Sequence, residues 1–136
     1  MENKSIVLKT LEYIEDNLEK DLNLEEISEK MYYSKFHLNR IFSEKVGCTI
    51  YKYIQQRRLT ESAKKLIETD KPILDIALEA GYNSQQSFTL AFKQIYLYPP
   101  QTYRLMGVFK PKQNRVTIHS SANYSNVNKL WEVKAA

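Results

Sequence analysis

Residues 24–42 read LEEISEKMYYSKFHLNRIF, and residues 72–92 read PILDIALEAGYNSQQSFTLAF. Laid over one another, they are two copies of one unit. Ile27, Met31 and Tyr33 match Ile76, Ala80 and Tyr82 at an offset of 49. One residue is inserted after Tyr82, and Leu38, Ile41, Phe42 and Tyr53 then match Phe88, Ala91, Phe92 and Tyr103 at an offset of 50. An internal repeat of this kind takes precedence over any single-helix reading. Each copy reads as a short helix, a tight turn, a longer helix and a supporting helix. A short helix and tight turn feeding a second helix is the helix-turn-helix pattern.

Working outward, Ser34 caps the longer helix of the first copy and Gly47 stops it. Thr49 caps a long helix running to about Glu68, with Ile50, Tyr53, Ile54, Leu59, Ala63, Leu66 and Ile67 turned inward. Pro72 suits the first turn of a helix carrying Ile73, Ile76, Ala77 and Ala80, which Gly81 ends. Ser84 caps the next, with Phe88, Ala91, Phe92 and Ile95 inward. Pro99-Pro100 opens a last short helix anchored by Tyr103 and Leu105. Upstream, Val7, Leu11, Ile14 and Leu18 mark one face of a first helix whose other side carries Glu12, Glu15, Asp16 and Glu19. Leu24, Ile27 and Met31 mark the second. The expectation is an all-α fold of about seven helices over residues 5–106. Two helix-turn-helix subdomains, about 24–45 and 72–95, are joined by a linker helix at about 49–68. Residues 107–136 read as a polar, basic, poorly ordered tail in which Leu130-Trp131 can dock.

Composition agrees. The chain has 136 residues, 43% of them hydrophobic, with only 3 Gly and 4 Pro, too few turn residues for a many-stranded sandwich or barrel. Cys48 is the single cysteine, and His37 and His119 are the two histidines, which excludes a disulfide framework and a cysteine- or histidine-built zinc site. No cofactor is expected. The start, Met1-Glu2-Asn3-Lys4, is not a signal peptide, and no apolar run reaches a membrane span, so a soluble cytoplasmic protein is expected. Charge is segregated. Residues 1–30 hold 4 Lys/Arg against 9 Asp/Glu, residues 31–107 hold 11 against 6, and residues 108–136 hold 5 against 1. A basic body behind an acidic first helix suits an anionic partner without identifying it.

The faces left outside the core carry more information. Burial of Leu38, Ile41 and Phe42 leaves Lys35, Phe36, Asn39, Arg40 and Ser43 outward. Burial of Phe88 and Phe92 leaves Gln85, Gln86, Thr89, Leu90 and Lys93. These sets lie mainly in the N-terminal halves of their helices, where a recognition helix meets base edges in the major groove. Arg forks onto guanine, Asn and Gln pair with adenine, and Thr or an aromatic touches a thymine methyl. Two readings of Phe36 remain, a partner contact and a core residue of an untypical turn. Two remain for Leu90, a DNA contact and plain packing. His37 is either a phosphate donor or a neutral surface histidine. Arg57-Arg58 and Lys64-Lys65 read as a solvated face, one member touching phosphate on the alternative reading. Cys48 reads as a small buried apolar residue. A linker of about 20 residues spans ~30 Å, close to one ~34–36 Å turn of B-DNA. One chain can therefore reach two successive major grooves, on an asymmetric site of about two turns.

The two quoted stretches, with Tyr53–Leu59 (YIQQRRL), Pro99-Pro100 and Tyr103-Arg104, resemble the AraC/XylS family of bacterial transcription regulators. The resemblance runs over roughly residues 5–106 and is nearest to the small single-module MarA/SoxS/Rob group. It implies two helix-turn-helix units on one long helix. It puts Phe36, Asn39, Arg40, Gln85, Gln86 and Thr89 at base-contacting positions. It makes Ser34, Lys35, His37, Ser84, Ser87 and Lys93 backbone contacts or caps. It further implies a monomeric activator with no small-molecule ligand, working with RNA polymerase on stress and multidrug-resistance promoters. The sequence departs from the family at Tyr32, where glycine is frequent, at Phe36 in place of Trp, and at Leu90 in place of Arg. A competing class is a helical protein-interaction or anti-activator module using the acidic first helix. An enzyme is not expected, since no metal set, phosphate loop or nucleophile–base pair is present.

Overall fold

The computed structural model describes residues 2–116, which form seven α-helices and, among the described residues, no strand. They are α1 (Glu2–Asp16), α2 (Leu24–Met31), α3 (Lys35–Val46), α4 (Ile50–Glu68), α5 (Ile73–Glu79), α6 (Gln85–Tyr96) and α7 (Pro100–Met106). Side-chain oxygens of Asn23, Ser34, Thr49 and Ser84 accept backbone N–H bonds at the starts of α2, α3, α4 and α6. Each cap satisfies a donor that the helix itself leaves unpaired.

Two cores flank the connecting helix. Ile27, Leu38, Ile41, Phe42 and Val46 pack with α1 residues Val7, Leu11 and Ile14 and with Ile50 and Tyr53 of α4. Ile76, Ala77, Phe88, Phe92, Tyr96 and Tyr103 pack with Leu59, Ala63 and Leu66 from the other end of α4. The repeat extends to ring geometry. Phe42 meets Tyr53 edge-on at 5.6 Å and 65°, and Phe92 meets Tyr103 at 5.4 Å and 76°. Such pairs add to simple area burial.

Backbone turns repeat as well. After α2, the Tyr32 N–H donates to Glu29 O and the Tyr33 N–H to Ser28 O. After α5, Gly81 and Tyr82 donate to Leu78 O and Ala77 O. Both are Schellman ends, and Tyr32 (φ 61°) and Gly81 (φ 90°) hold the left-handed position. Gly47 (φ 97°) and Leu97 (φ 72°) close α3 and α6 with the simpler left-handed cap, one bond each to Ser43 O and Lys93 O. Each copy thus uses one glycine and one bulky residue at its two left-handed turns. At Tyr32 the turn keeps the conformation that glycine would favour, at a cost of about 1–2 kcal/mol.

Several sequence expectations are corrected. Leu105 does not anchor α7 and is 78% exposed, whereas Tyr103 is buried. Ile67, Ala91 and Ile95 are only half-buried, at the rim of the second core. Tyr96, not singled out by periodicity, is buried and stacks on Phe92 at 4.6 Å. The solvated-face reading fails for three of its four cations. Arg57 is buried, and its guanidinium donates to Glu15, to Glu61 and to Gln113 O. Burial pulls Arg57 down, but Glu15 and Glu61 outweigh it and its pKa rises. Arg58 donates to Leu18 O and Lys20 O, just after α1, and burial lowers its pKa. Lys65 bridges Glu19 and Glu79, while Lys64 stays exposed. Much of the charge segregation is therefore neutralised inside the fold.

The tail expectation is also corrected for its first part. Residues 108–116 lie on the body, with Gln113 and Val116 buried. The remainder of the tail, including Leu130-Trp131, lies outside the described residues.

Candidate nucleic-acid interface

The capping serines set where each longer helix begins and hence which side chains occupy its first two turns. On α3 these are Lys35, Phe36, His37, Asn39 and Arg40. On α6 they are Gln85, Gln86, Ser87, Thr89 and Leu90. With Leu38 and Phe88 at zero exposure, Phe36 and Gln86 are forced outward. Phe36 is 91% exposed and Leu90 62% exposed, so neither packs in a core. Arg40, Gln85 and Gln86 are also exposed. Phe36 and Arg40 lie four residues apart and share a helix face, as do Gln85 and Thr89. Neither α3 nor α6 has an acidic residue in its first turn, unlike α2 with Glu25 and Glu26 and α5 with Asp75. The positive ends of both helix dipoles are left to attract an anion.

Not every outward residue is free to read a ligand. Asn39 is half-buried, and its Oδ1 accepts from the Ile50 N–H at 3.0 Å, tying α3 to the start of α4. A two-bond adenine contact uses both the oxygen and the amide nitrogen of Asn. In this arrangement Oδ1 is oriented toward the Ile50 N–H and has one lone pair occupied, while Nδ2 takes no part in that bond. Thr89, its counterpart, is half-buried too. The Ser34 hydroxyl accepts from the His37 N–H at 3.2 Å, and the Ser84 hydroxyl from the Ser87 N–H at 3.1 Å. Ser87 Oγ donates to Ser84 O at 3.0 Å. These serines act as caps. Lys35 pairs with Glu25 at 3.3 Å across the turn, an exposed pair worth little. His37 is exposed with its ring 5.1 Å from Tyr33, and Lys93 is exposed.

Sequence reasoning missed three structural arginines and the Asn39 cap. Arg104 donates to Leu66 O and Thr69 O at the end of α4, as Arg58 does after α1. Charged donors at carbonyl-rich helix ends are a general device, and position alone does not distinguish them from surface cations. Tyr32 and Tyr51 are exposed aromatics that were not singled out as contacts. Among the described residues, no group of three or more His, Cys, Asp or Glu can hold a metal ion, and no helix is long and apolar enough to cross a membrane.

Residues 27–106 match a family model described as a helix-turn-helix domain. The multiple antibiotic resistance protein MarA of Escherichia coli K12 is 46% identical over 98 residues, covering 72% of this chain and 77% of that protein. The right origin-binding protein of the same organism is 42% identical over 104 residues, which are 76% of this chain and 36% of that one. Among solved structures, the C-terminal domain of AraT, a response regulator from Geobacillus stearothermophilus, matches with a TM-score of 0.71 at 28% identity. That match covers 85% of this chain and 96% of that domain.

Proposed function

Because the chain belongs to the AraC family of helix-turn-helix DNA-binding transcription regulators, we propose that it reads one asymmetric DNA site as a monomer. Its α3 and α6 enter successive major grooves, and it activates stress and multidrug-resistance promoters together with RNA polymerase, in the cytoplasm. The observation that carries this reading is the pair of equivalent helices at the two ends of α4. The 19 residues of α4 span about 28 Å at helical rise, near the turn of B-DNA at ~34–36 Å.

In this reading Arg40 forks onto a guanine and Phe36 packs on a thymine methyl beside it. Gln85, Gln86 and Thr89 read the second box, with Leu90 adding an apolar contact where an arginine would add a charged one. Asn39 contributes mainly through Nδ2, its Oδ1 being held by the Ile50 N–H. Lys35, His37 and Lys93, with the capped N-termini at Ser34, Ser84 and Ser87, face phosphates. The likeness to a protein named for multiple antibiotic resistance supports the choice of promoters.

Site selection from genomic fragments at physiological salt, followed by footprinting, tests the proposal. The expected result is one chain on about two helical turns, with two boxes about one turn apart. Arg40→Ala is expected to weaken that site by ~1–3 kcal/mol and relax base preference in one box only. A palindromic footprint with two chains would refute the monomeric reading. No enriched sequence at all would refute DNA readout and favour the interaction-module class.

A further inference from the structure

Three hydroxyls on the helical body accept hydrogen bonds from three backbone N–H groups of the segment that follows α7. Tyr103 Oη takes the Lys110 N–H at 2.8 Å, Thr60 Oγ1 the Gln113 N–H at 2.9 Å, and Tyr53 Oη the Val116 N–H at 3.1 Å. The donors fall every third residue. The acceptors step from the second subdomain, through the middle of α4, to the first. Tyr53 and Tyr103 are also equivalent positions of the repeat, each edge-on to the phenylalanine of its own core. The segment is therefore pinned at matching points of both units. Apolar contacts reinforce the pins at each end, with Phe109 against the second core and Val116 inside the first. Lys112 lies over the Tyr96 ring at 5.6 Å, and Arg57 holds Gln113 O at 2.8 Å while pairing with Glu15 of α1.

Elsewhere the two units meet less completely. A polar cleft of about 320 Å³ opens where the end of α1 faces α5 across α4, and there Lys65 links Glu19 to Glu79. Besides α4 itself, that side is joined through Lys65 and through Arg58, which holds Leu18 O and Lys20 O beside Gly81. A segment bonded to Tyr103 of α7, to Thr60 in the middle of α4 and to Tyr53 near its start adds a tie against bending and twisting between the units.

We propose that residues 108–116 are a strap that fixes the relative placement of α3 and α6, and so determines the spacing between the two DNA boxes that the chain accepts. The inference rests on the two-groove reading above. Its physical basis is the sensitivity of a bivalent grip to its linker. Inserting one base pair moves the second box by about 3.4 Å along the duplex and turns it by about 34°. A rigid linker cannot follow that shift, so the second helix loses its groove, whereas a compliant linker follows at a small loss of effective concentration.

The test is a full-length triple variant, Tyr53→Phe, Thr60→Val and Tyr103→Phe. It deletes the three acceptors and preserves ring and methyl volume. Both proteins are titrated with duplexes carrying the selected boxes at the preferred spacing and at one base pair more or less, and with each box alone. Wild type is expected to lose at least about tenfold in affinity on a one-base-pair change. The variant is expected to lose less than about threefold, with affinities for each single box unchanged. If the triple variant lacks the wild-type helical circular dichroism signal, Thr60→Val with Tyr103→Phe replaces it. An identical spacing profile in wild type and variant overturns the strap, as does a wild-type profile that is flat across spacings. If wild type binds neither box specifically, the DNA-reading function fails, and the strap inference falls with it.

Discussion

Replacing Arg57 by methionine tests whether a residue that looks like a surface cation in the sequence is a buried tie. Its side chain is 5% exposed and that of its main partner, Glu15, is 17% exposed. Arg57 also donates to Glu61 at 3.0 Å and to Gln113 O at 2.8 Å. Methionine keeps the stem volume and removes the charge. Glu15 is then left mostly buried without its cation, a situation that costs about 3–5 kcal/mol when the group is fully enclosed. Partial exposure of Glu15 puts the expectation at about 3 kcal/mol, with about 1 kcal/mol more for the lost hydrogen bond to Gln113 O. Glu61 adds little, because its side chain is 37% exposed. The measurement is urea unfolding followed by far-UV circular dichroism, with the slope fitted separately from the midpoint. A loss of about 3–4 kcal/mol at unchanged slope is expected. The double variant Glu15→Leu, Arg57→Met should recover most of the loss, since an apolar pair of similar volume replaces a buried ion pair at little net cost. A loss below about 1 kcal/mol for Arg57→Met, or no recovery in the double variant, would refute the reasoning and return Arg57 to the solvated face.

Tyr32→Gly should stabilise the chain by about 1 kcal/mol, because the ring is 94% exposed and the left-handed backbone penalty disappears; an unchanged or lower thermal midpoint would contradict this. Gly81→Ala should act in the opposite direction, since φ is +90° and the added Cβ would lie 2.8 Å from Arg58 Nη1. Hydrogen bonds from Lys65 and Lys71 hold the Glu79 carboxyl below its ordinary value of 4.5. Its contribution to stability is therefore fully present above pH 4.5 and is lost as the pH falls through the lower, folded value. Glu79→Gln should flatten the stability curve in that acidic window and leave its slope near neutrality unchanged. Burial pushes the Cys48 thiol up to about 11, against the opposing influence of Lys52. Alkylation at pH 7.5 should then run on the order of 100-fold slower than for a free cysteine, and a rate equal to that of the unfolded chain would show that the thiol is not held in this environment.

The helices, their capped starts and the division into two equivalent units were legible in the order of residues. Ser34, Thr49 and Ser84 act within three positions of themselves, and the apolar spacing of Leu38, Ile41 and Phe42 or of Phe88 and Phe92 reports on one helix at a time. Local rules of this kind need no knowledge of the partner surface. The repeat did more, because it matched Phe42 and Tyr53 to Phe92 and Tyr103, two pairs that the structure brings into the same edge-on ring contact. The outward sets on α3 and α6 followed by subtraction, and the exposure of Phe36 and Leu90 removes the packing reading of each.

Tertiary structure alone decided the roles of Asn39, Arg57, Arg58 and Lys65, the exposure of Leu105 and the docking of residues 108–116. In α7 the helix is 7 residues long, too short for a period to distinguish an anchor from a rim residue. Asn39 looks like a base reader by position, yet its oxygen closes the start of α4, 11 residues away. Arg57 meets Glu15 across 42 residues, and Val116 meets Tyr53 across 63. An arginine or a polar tail has the same local signature whether it faces water or a distant carbonyl. The difference arises only when the chain brings that carbonyl within hydrogen-bonding range and excludes the water that would otherwise satisfy both groups.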